Sequence, residues 1–376
     1  MSITYLFGAG AESCFNVNNG NDFANTIINS SKYEKEIENY IKSVFNKIVD
    51  KHDFYPNYKK LNFSENSIIK QNIRSKFLND FKDKKASKSQ FDKDVDDEYN
   101  KVIKDKALKD KYVKQIMSGY LGLIDEDFFT LIEPRPLGPC RFWRVITYYY
   151  KAYLNIIECL LDDFNVEEVI NNPKSTYSKV YSKCIDLLDK NKSYYSILKK
   201  YIDKNDYIVT TNYTPFCEIL AQDTNLKPNT VSYTHGKLNL FESAYGRCVK
   251  NINECFNFEE DIYFPFLLLQ SGIKPIIESK QITQYYNFIN SLSNSNILIV
   301  IGYSFSIDDS DIIAMIREFL LEKDKKMIYF SYNGIVTKND LYSIFRIDKE
   351  LVDIDMCLIN EDNWYTQFEN VLKELY

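Results

Sequence analysis

Histidine is nearly missing from this chain: two residues in 376, His52 and His235. That scarcity leaves any catalytic histidine only two candidates and removes the ligand most metal centres depend on. The eight cysteines, at 14, 140, 159, 184, 217, 248, 255 and 357, contain no CxxC pair. Their scatter gives no zinc signature and fits a reducing cytoplasm. No window reaches the 18 or more apolar residues of a membrane span, and the apolar run ITYLFGAGA lacks both the basic leader and the length of a signal sequence. Positive charge is not in excess either. The 47 Lys and Arg against 53 Asp and Glu give a net charge of −6, which argues against nonspecific binding to nucleic acid or to an anionic membrane. A cytoplasmic protein is expected.

The chain is long enough for one large core or two unequal domains, and 45% apolar with 27% charged residues is ordinary for a folded protein. The 30 tyrosines and 25 phenylalanines accompany abundant Lys and Asn, a compositional bias that gives no single aromatic a functional role. Ile3 to Phe7 is a short apolar run that breaks into Gly8-Ala9-Gly10-Ala11. A strand ending in GxG suits a phosphate-binding turn, because glycines let the backbone approach a pyrophosphate. The full GxGxxG fingerprint is absent, and an ordinary tight turn is the rival. Glu12 is out of place beside a phosphate and belongs with the loop's own hydrogen bonding.

From residue 23 to about 200 the spacing predicts helices, over 31 to 49, 69 to 82, 94 to 118, 141 to 163 and 175 to 201. Lys82 to Lys114 mixes both signs of charge and reads as a solvated face. Pro134, Pro136, Gly138 and Pro139 mark a joint. Arg135 within it, and Arg141 and Arg144 beyond it, could reach a phosphate across a cleft, while Trp143 reads as core. His52 sits in a charged, proline-terminated stretch and reads as surface.

After Tyr201 the pattern changes. Short β-branched or apolar runs at 206 to 211, 229 to 234, 261 to 269, 296 to 302, 326 to 332 and 352 to 359 alternate with helical stretches, which predicts an α/β layer with a largely parallel sheet. The opening strand is assigned to the same sheet. The expected architecture is therefore a Rossmann-like domain of residues 1 to 30 and 201 to 376, with 31 to 200 inserted as a helical layer or lid.

Three strand ends carry candidate chemistry. In YIVTTNYTPF, Asn212 lies where a strand stops, at the carboxyl edge where open α/β sheets bind ligands. An Asn there can hold a ribose hydroxyl or a water; the rival is a helix cap, which Pro215 in the first turn favours. In VSYTHGKLN, His235 has the near-neutral proton affinity of a general base, and Gly236 permits a sharp turn that presents the ring. In ILIVIGYSFSIDDSDI the strand ends at Gly302. Ser304 and Ser306 can bond a ribose or phosphate, and Asp308, Asp309 or Asp311 can cap the next helix. A metal at these aspartates has no matching ligands in the sequence.

GAG at 8 to 10, TTNY at 210 to 213, THG at 234 to 236 and GYSFSIDD at 302 to 309 stand in the order seen in the sirtuin-like superfamily. They most resemble the sirtuin-like NAD-hydrolysing domains of bacterial anti-phage defence. The resemblance implies that Gly8, Ala9 and Gly10 cradle the NAD+ pyrophosphate, that Asn212 and His235 form the catalytic pair, and that Gly302 and Ser304 contact the adenosine side. It also assigns Thr211 and Asp22 to the NAD+ site, with Asp22 near the nicotinamide end. Relatives often carry Asp after TTNY, where this chain has Thr214. Deacylating members carry a four-cysteine zinc module, whereas only Cys248 and Cys255 lie in the corresponding region here. The expectation is accordingly a metal-free NAD+ hydrolase releasing nicotinamide and ADP-ribose and acting as an NAD-depleting effector. Its control would come from homo-oligomers or a partner such as a HerA-like ATPase. The alternatives are a silent NAD or ADP-ribose sensor or scaffold, and a zinc-free deacylase or ADP-ribosyltransferase.

Overall fold

A computed structural model describes residues 2–17, 32–40, 88–105, 138–227, 230–243, 248–254, 263–268, 279–306 and 309–376, with isolated positions at 27, 43, 70, 73, 74 and 108. Asp22, His52, Pro134, Arg135, Pro136 and Asp308, and the side chains of Arg141, Trp143 and Arg144, lie outside the described residues.

Six strands form one parallel sheet: β1 (Ile3–Phe7), β2 (Tyr207–Thr210), β3 (Val231–Tyr233), β7 (Ile297–Ile301), β8 (Lys326–Tyr332) and β9 (Asp353–Ile359). Their order is β3-β2-β1-β7-β8-β9. Counting only these six in chain order gives 3-2-1-4-5-6, the doubly wound order whose direction of winding reverses between the first and fourth strands. Here the reversal falls between β1 and β7, whose ends carry GAG and GYS. The architecture is mixed α/β and compatible with a Rossmann-like fold.

The remaining strands, β4 (Gly236–Ser243), β5 (Val249–Asn251) and β6 (Tyr263–Leu267), form a separate antiparallel sheet in the order β5-β4-β6. The apolar run expected at 261 to 269 therefore belongs to this small sheet and not to the main one. Continuous apolarity marks a strand buried on both faces, and β6 meets that condition against a helix instead of within the parallel layer.

Alternation along the central strands sorts their side chains onto two faces. Ile3, Tyr5, Phe7, Ile297, Ile299, Ile301, Ile328 and Phe330 enter one apolar cluster. Leu6, Leu298, Val300, Met327 and Tyr329 enter another. Helices cover both. Of the described helices, α1 (Lys88–Lys104) stands apart with its own small cluster. The first sheet face is covered by α2 (Gly138–Leu160), α4 (Pro173–Lys190), α5 (Tyr194–Leu198), α6 (Phe216–Asp223) and α10 (Trp364–Leu375), with the short α3 (Val166–Asn171) leading into α4. The second is covered by α7 (Ser279–Asn294), α8 (Ser310–Leu321) and α9 (Lys338–Phe345). Residues 146 to 198 thus share one continuous core with β1, β2 and β7.

Local signals set the helix ends. Asn165 caps α3 through the amide of Glu168, and Asn172 caps α4 ahead of Pro173. Ser193 with Ser196, and Thr337 with Asp340, form capping boxes at α5 and α9.

Candidate active site

The floor of the cleft is built by three glycines that pack against one another. A Cβ on Gly8 would lie 2.5 Å from the Gly302 carbonyl oxygen, and one on Gly10 3.0 Å from the Gly302 Cα. Gly302 itself has φ +65°, and a side chain there would run into the backbone of Gly10 and Ala11. Gly8 donates its amide to Ile301 O at 2.9 Å and Gly10 donates to Gly302 O at 2.8 Å. The glycines therefore serve first to bring the turns after β1 and β7 into contact. Two of the three GAG amides are taken up in doing so. That of Ala9 has no acceptor among the described residues, which makes it the amide available to a phosphate.

Asn212 and His235 occupy matching places on neighbouring strands. Thr210 pairs with Tyr233 in the parallel register, and each of the two site residues lies two positions further on. Thr234 donates its amide to Thr210 O at 3.0 Å and Thr211 donates to Phe7 O at 3.1 Å, which carries the ladder past the strand ends. Thr211, Asn212 and His235 are all buried. Asn212 is not the cap of α6: that position is Pro215, and no side-chain cap bond is made. Its Nδ2 donates to Gly8 O at 3.0 Å. Since the Gly8 carbonyl can only accept, that bond sets which end of the amide carries the nitrogen. Its Oδ1 receives no hydrogen bond from a described residue, so the carbonyl oxygen is the atom Asn212 offers to a ligand.

Glu12 is the residue whose importance the sequence hid. It is 2% exposed, yet its carboxylate accepts from Thr214 Oγ1 at 2.7 Å and Tyr195 OH at 3.1 Å. Burial pushes its pKa from 4.5 up to about 7, outweighing the hydrogen bonds from Thr214 and Tyr195 that pull it down. Thr214, at the position where an Asp was anticipated, meets a carboxylate arriving from the glycine motif.

The loop after β7 supplies a second carboxylate. Asp309 stands at the N-cap position of α8 but makes no side-chain cap bond. Its Oδ1 lies 3.3 Å from His235 Nε2, and its Oδ2 accepts from Tyr303 OH at 2.6 Å. Capping, the role open to it from sequence, is replaced by orientation of the histidine. β3 and β7 are three strand spacings apart, about 14 Å, so this contact draws the β7 loop over the ends of β1 and β2. Phe305 anchors the loop with φ +55°, a left-handed conformation uncommon for an aromatic residue. Its ring packs on Tyr303, Tyr329 and Phe345. Ser304 is exposed between these anchors. Gly236, with φ +90°, lets the chain turn from His235 into β4, where Leu268 donates its amide to His235 O at 2.7 Å.

Gly8, Ala9, Gly10, Thr211, Asn212, His235 and Gly302 are thus brought to one carboxyl edge of the sheet, with Ser304 on its rim. Glu12 and Asp309 join them as buried carboxylates, Asp309 against His235. A separate cavity of about 620 Å³ beside β3, lined by Glu218, Tyr233, Lys237, Asn239 and Gln284 among others, includes neither Asn212 nor His235. Among the described residues no group of three His, Cys, Asp or Glu is arranged to hold a metal ion. No helix among them is long and apolar enough to cross a membrane. No protein-family model and no curated protein matches this chain.

Proposed function

We propose that the chain is a sirtuin-like NAD+ hydrolase that cleaves the nicotinamide–ribose bond. The observation that carries this reading is the placement of Asn212 and His235 at equivalent positions past adjacent strands, beside the point where the sheet's winding reverses, with Asn212 tied to the glycine turn and His235 set against the carboxylate of Asp309. The close glycine floor and the Ala9 amide suit a dinucleotide lying across β1 and β7, with its pyrophosphate over the GAG turn.

The chemistry asks little of the protein beyond geometry. Nicotinamide is a cation in NAD+ and leaves as a neutral molecule when the bond to the ribose C1′ breaks, so the electron pair goes with the ring and positive charge develops on the ribose. The Asn212 carbonyl oxygen accepts a hydrogen bond from a ribose hydroxyl or from the attacking water and fixes its direction. Asp309 beside Nε2 orients the imidazole of His235, whose near-neutral proton affinity suits it to take a proton. Water adds to C1′, its proton passes to His235, and nicotinamide and ADP-ribose are released. In this reading the enzyme is an NAD-depleting effector of anti-phage defence, restrained until it assembles with copies of itself or with an ATPase partner.

The test is incubation of the purified protein with NAD+, alone and with candidate partners. Nicotinamide and ADP-ribose in equal amounts, abolished by Asn212→Ala and by His235→Ala, support the proposal. Full turnover in either variant overturns the mechanism, and tight ADP-ribose binding without turnover in any assembly replaces hydrolysis with sensing.

A further inference from the structure

We propose that Tyr303 is a positioning residue of the candidate site, its hydroxyl holding the Asp309 carboxylate against His235 and so joining the glycine turn to the histidine through one chain of contacts. The role of His235 as general base rests on the NAD+ hydrolase reading above. The contacts do not.

Tyr303 is fixed from three sides. It follows Gly302 directly, and a Cβ on Gly8 would lie 2.6 Å from its Cα and its Cβ, so the glycine floor sets where its backbone runs. Its carbonyl oxygen accepts from Tyr329 OH on β8 at 2.8 Å, and its ring meets that of Phe305 edge-on with centroids 4.9 Å apart. The hydroxyl at the end of this held side chain donates to Asp309 Oδ2 at 2.6 Å, and the other oxygen of the same carboxylate lies 3.3 Å from His235 Nε2. Tyr303, Asp309 and His235 are all buried.

The chemistry at Asp309 favours this role over that of a core tyrosine whose hydroxyl has merely found an acceptor. An aspartate at an N-cap position ordinarily turns its carboxylate to the free amides of the first helical turn, yet Asp309 makes no such bond to α8. Its carboxylate meets Tyr303 and His235 instead. Held at both oxygens, it cannot rotate about its last bond, whereas the contact with His235 alone would leave it free to swing back to the helix. Burial and the neighbouring carboxylate hold the Tyr303 hydroxyl well above the usual tyrosine range, so it remains a donor at any working pH. Asp311 on α8 and Tyr285 on α7 also act on Tyr303 through space, and neither is a cation that would compete for Asp309. A phenylalanine would fill the same space without burying a hydroxyl.

The experiment follows the imidazole resonances of His235 against pH, together with NAD+ turnover. With only two histidines in the chain, loss of one set of signals in His235→Ala assigns them. Tyr303→Phe keeps the ring on Phe305 and removes only the donor. A carboxylate beside an imidazole favours its protonated form, so withdrawing or neutralising it is expected to lower the His235 titration midpoint by about half a pH unit or more, in Tyr303→Phe and in Asp309→Asn alike. Tyr303→Phe is expected to lose about tenfold in kcat while KM changes by less than about threefold. The double variant is expected to stay within about threefold of Asp309→Asn alone, because Tyr303 acts through the carboxylate already removed.

A His235 midpoint unmoved by Tyr303→Phe overturns the proposal, as does a double variant in which the two single losses multiply. So does an unmoved midpoint in Asp309→Asn, which leaves Tyr303 in place. The midpoints report without any turnover. A protein in which both variants lower the midpoint but which releases no nicotinamide retains Tyr303 as the positioning residue and loses the hydrolase assignment.

Discussion

Glu12 makes stability and pH move in the direction opposite to that of an ordinary surface carboxylate. Its pKa in the fold is about 7, above the 4.5 of an unburied glutamate. Between those values the folded chain holds a proton that the unfolded chain has released. The stabilisation is therefore complete below about pH 4.5 and lost as pH rises through 7, a fall of about 3 kcal/mol. Urea titrations of the parent and of Glu12→Gln across this range should diverge accordingly, the variant gaining relative stability toward pH 8. Equal pH slopes would mean that Glu12 is not buried as described. Asp309 leads to a different expectation. Asp309→Asn keeps the shape but removes the charge beside His235 Nε2, and kcat for NAD+ should drop on the order of 10²-fold with KM little changed. A variant with parental kcat would reduce Asp309 to a tether for Tyr303. Asn212 and His235 were legible in the sequence because each ends a β-branched run and because histidine is so rare. Glu12 and Asp309 were not, since a carboxylate in a turn or before a helix has a cheaper local explanation, and only the fold brings Thr214, Tyr195 and Tyr303 to them.

Among the elements, the two turns that meet over the sheet decide whether a site exists. Gly302 and Gly334 offer a matched comparison, with φ +65° and +68°. A Cβ on Gly334 meets nothing within 4 Å, so Gly334→Ala costs only the left-handed backbone, about 1 kcal/mol. At Gly302 the same backbone cost is joined by collision with Gly10 and Ala11, whose backbone cannot give way without parting β1 from β7. Gly302→Ala should therefore lose about 3 kcal/mol or more, visible as a melting temperature well below that of Gly334→Ala and as weakened NAD+ or ADP-ribose binding. Similar melting temperatures for the two variants would show that the turns are not in contact. GAG could be read from the sequence as a glycine turn at a strand end. That its glycines, Gly8 and Gly10, face Gly302 from the far end of the sequence, and spend two amides on the turn after β7, depends on strand order. The run at 261 to 269 marks the same boundary of legibility, because its apolarity announced a buried strand without saying in which sheet.

At the scale of the whole molecule, the first seven residues hold the central strand. Tyr5 pairs with Ile208 on one side and Ile299 on the other, so both ladders at the middle of the sheet close over roughly two hundred residues or more. Further ties secure β1 at its base. Ile3 donates its amide to Asp206 Oδ1 at 2.9 Å, and Thr4 Oγ1 lies 2.8 Å from Ser295 Oγ. Nothing local prepares these contacts, and such long-range pairing places the chain among slow folders. Composition and alternation foretold an α/β layer containing residues 3 to 7, because a five-residue apolar run is readable wherever it stands. Its central place, and the entry of residues 146 to 198 into the same core, reflect packing that periodicity does not encode. Deleting residues 2 to 7 should consequently do more than trim an end. It removes the shared neighbour of β2 and β7, exposes the inner edges of both, and strips Tyr5, Leu6 and Phe7, all fully buried, from the two faces of the core. The truncated chain is expected to lose its cooperative thermal transition, bind a hydrophobic dye and aggregate, with no NAD+ or ADP-ribose binding remaining. A truncated chain that still melts cooperatively would place β1 at the margin of the sheet, and with it the glycine turn on which the whole site is built.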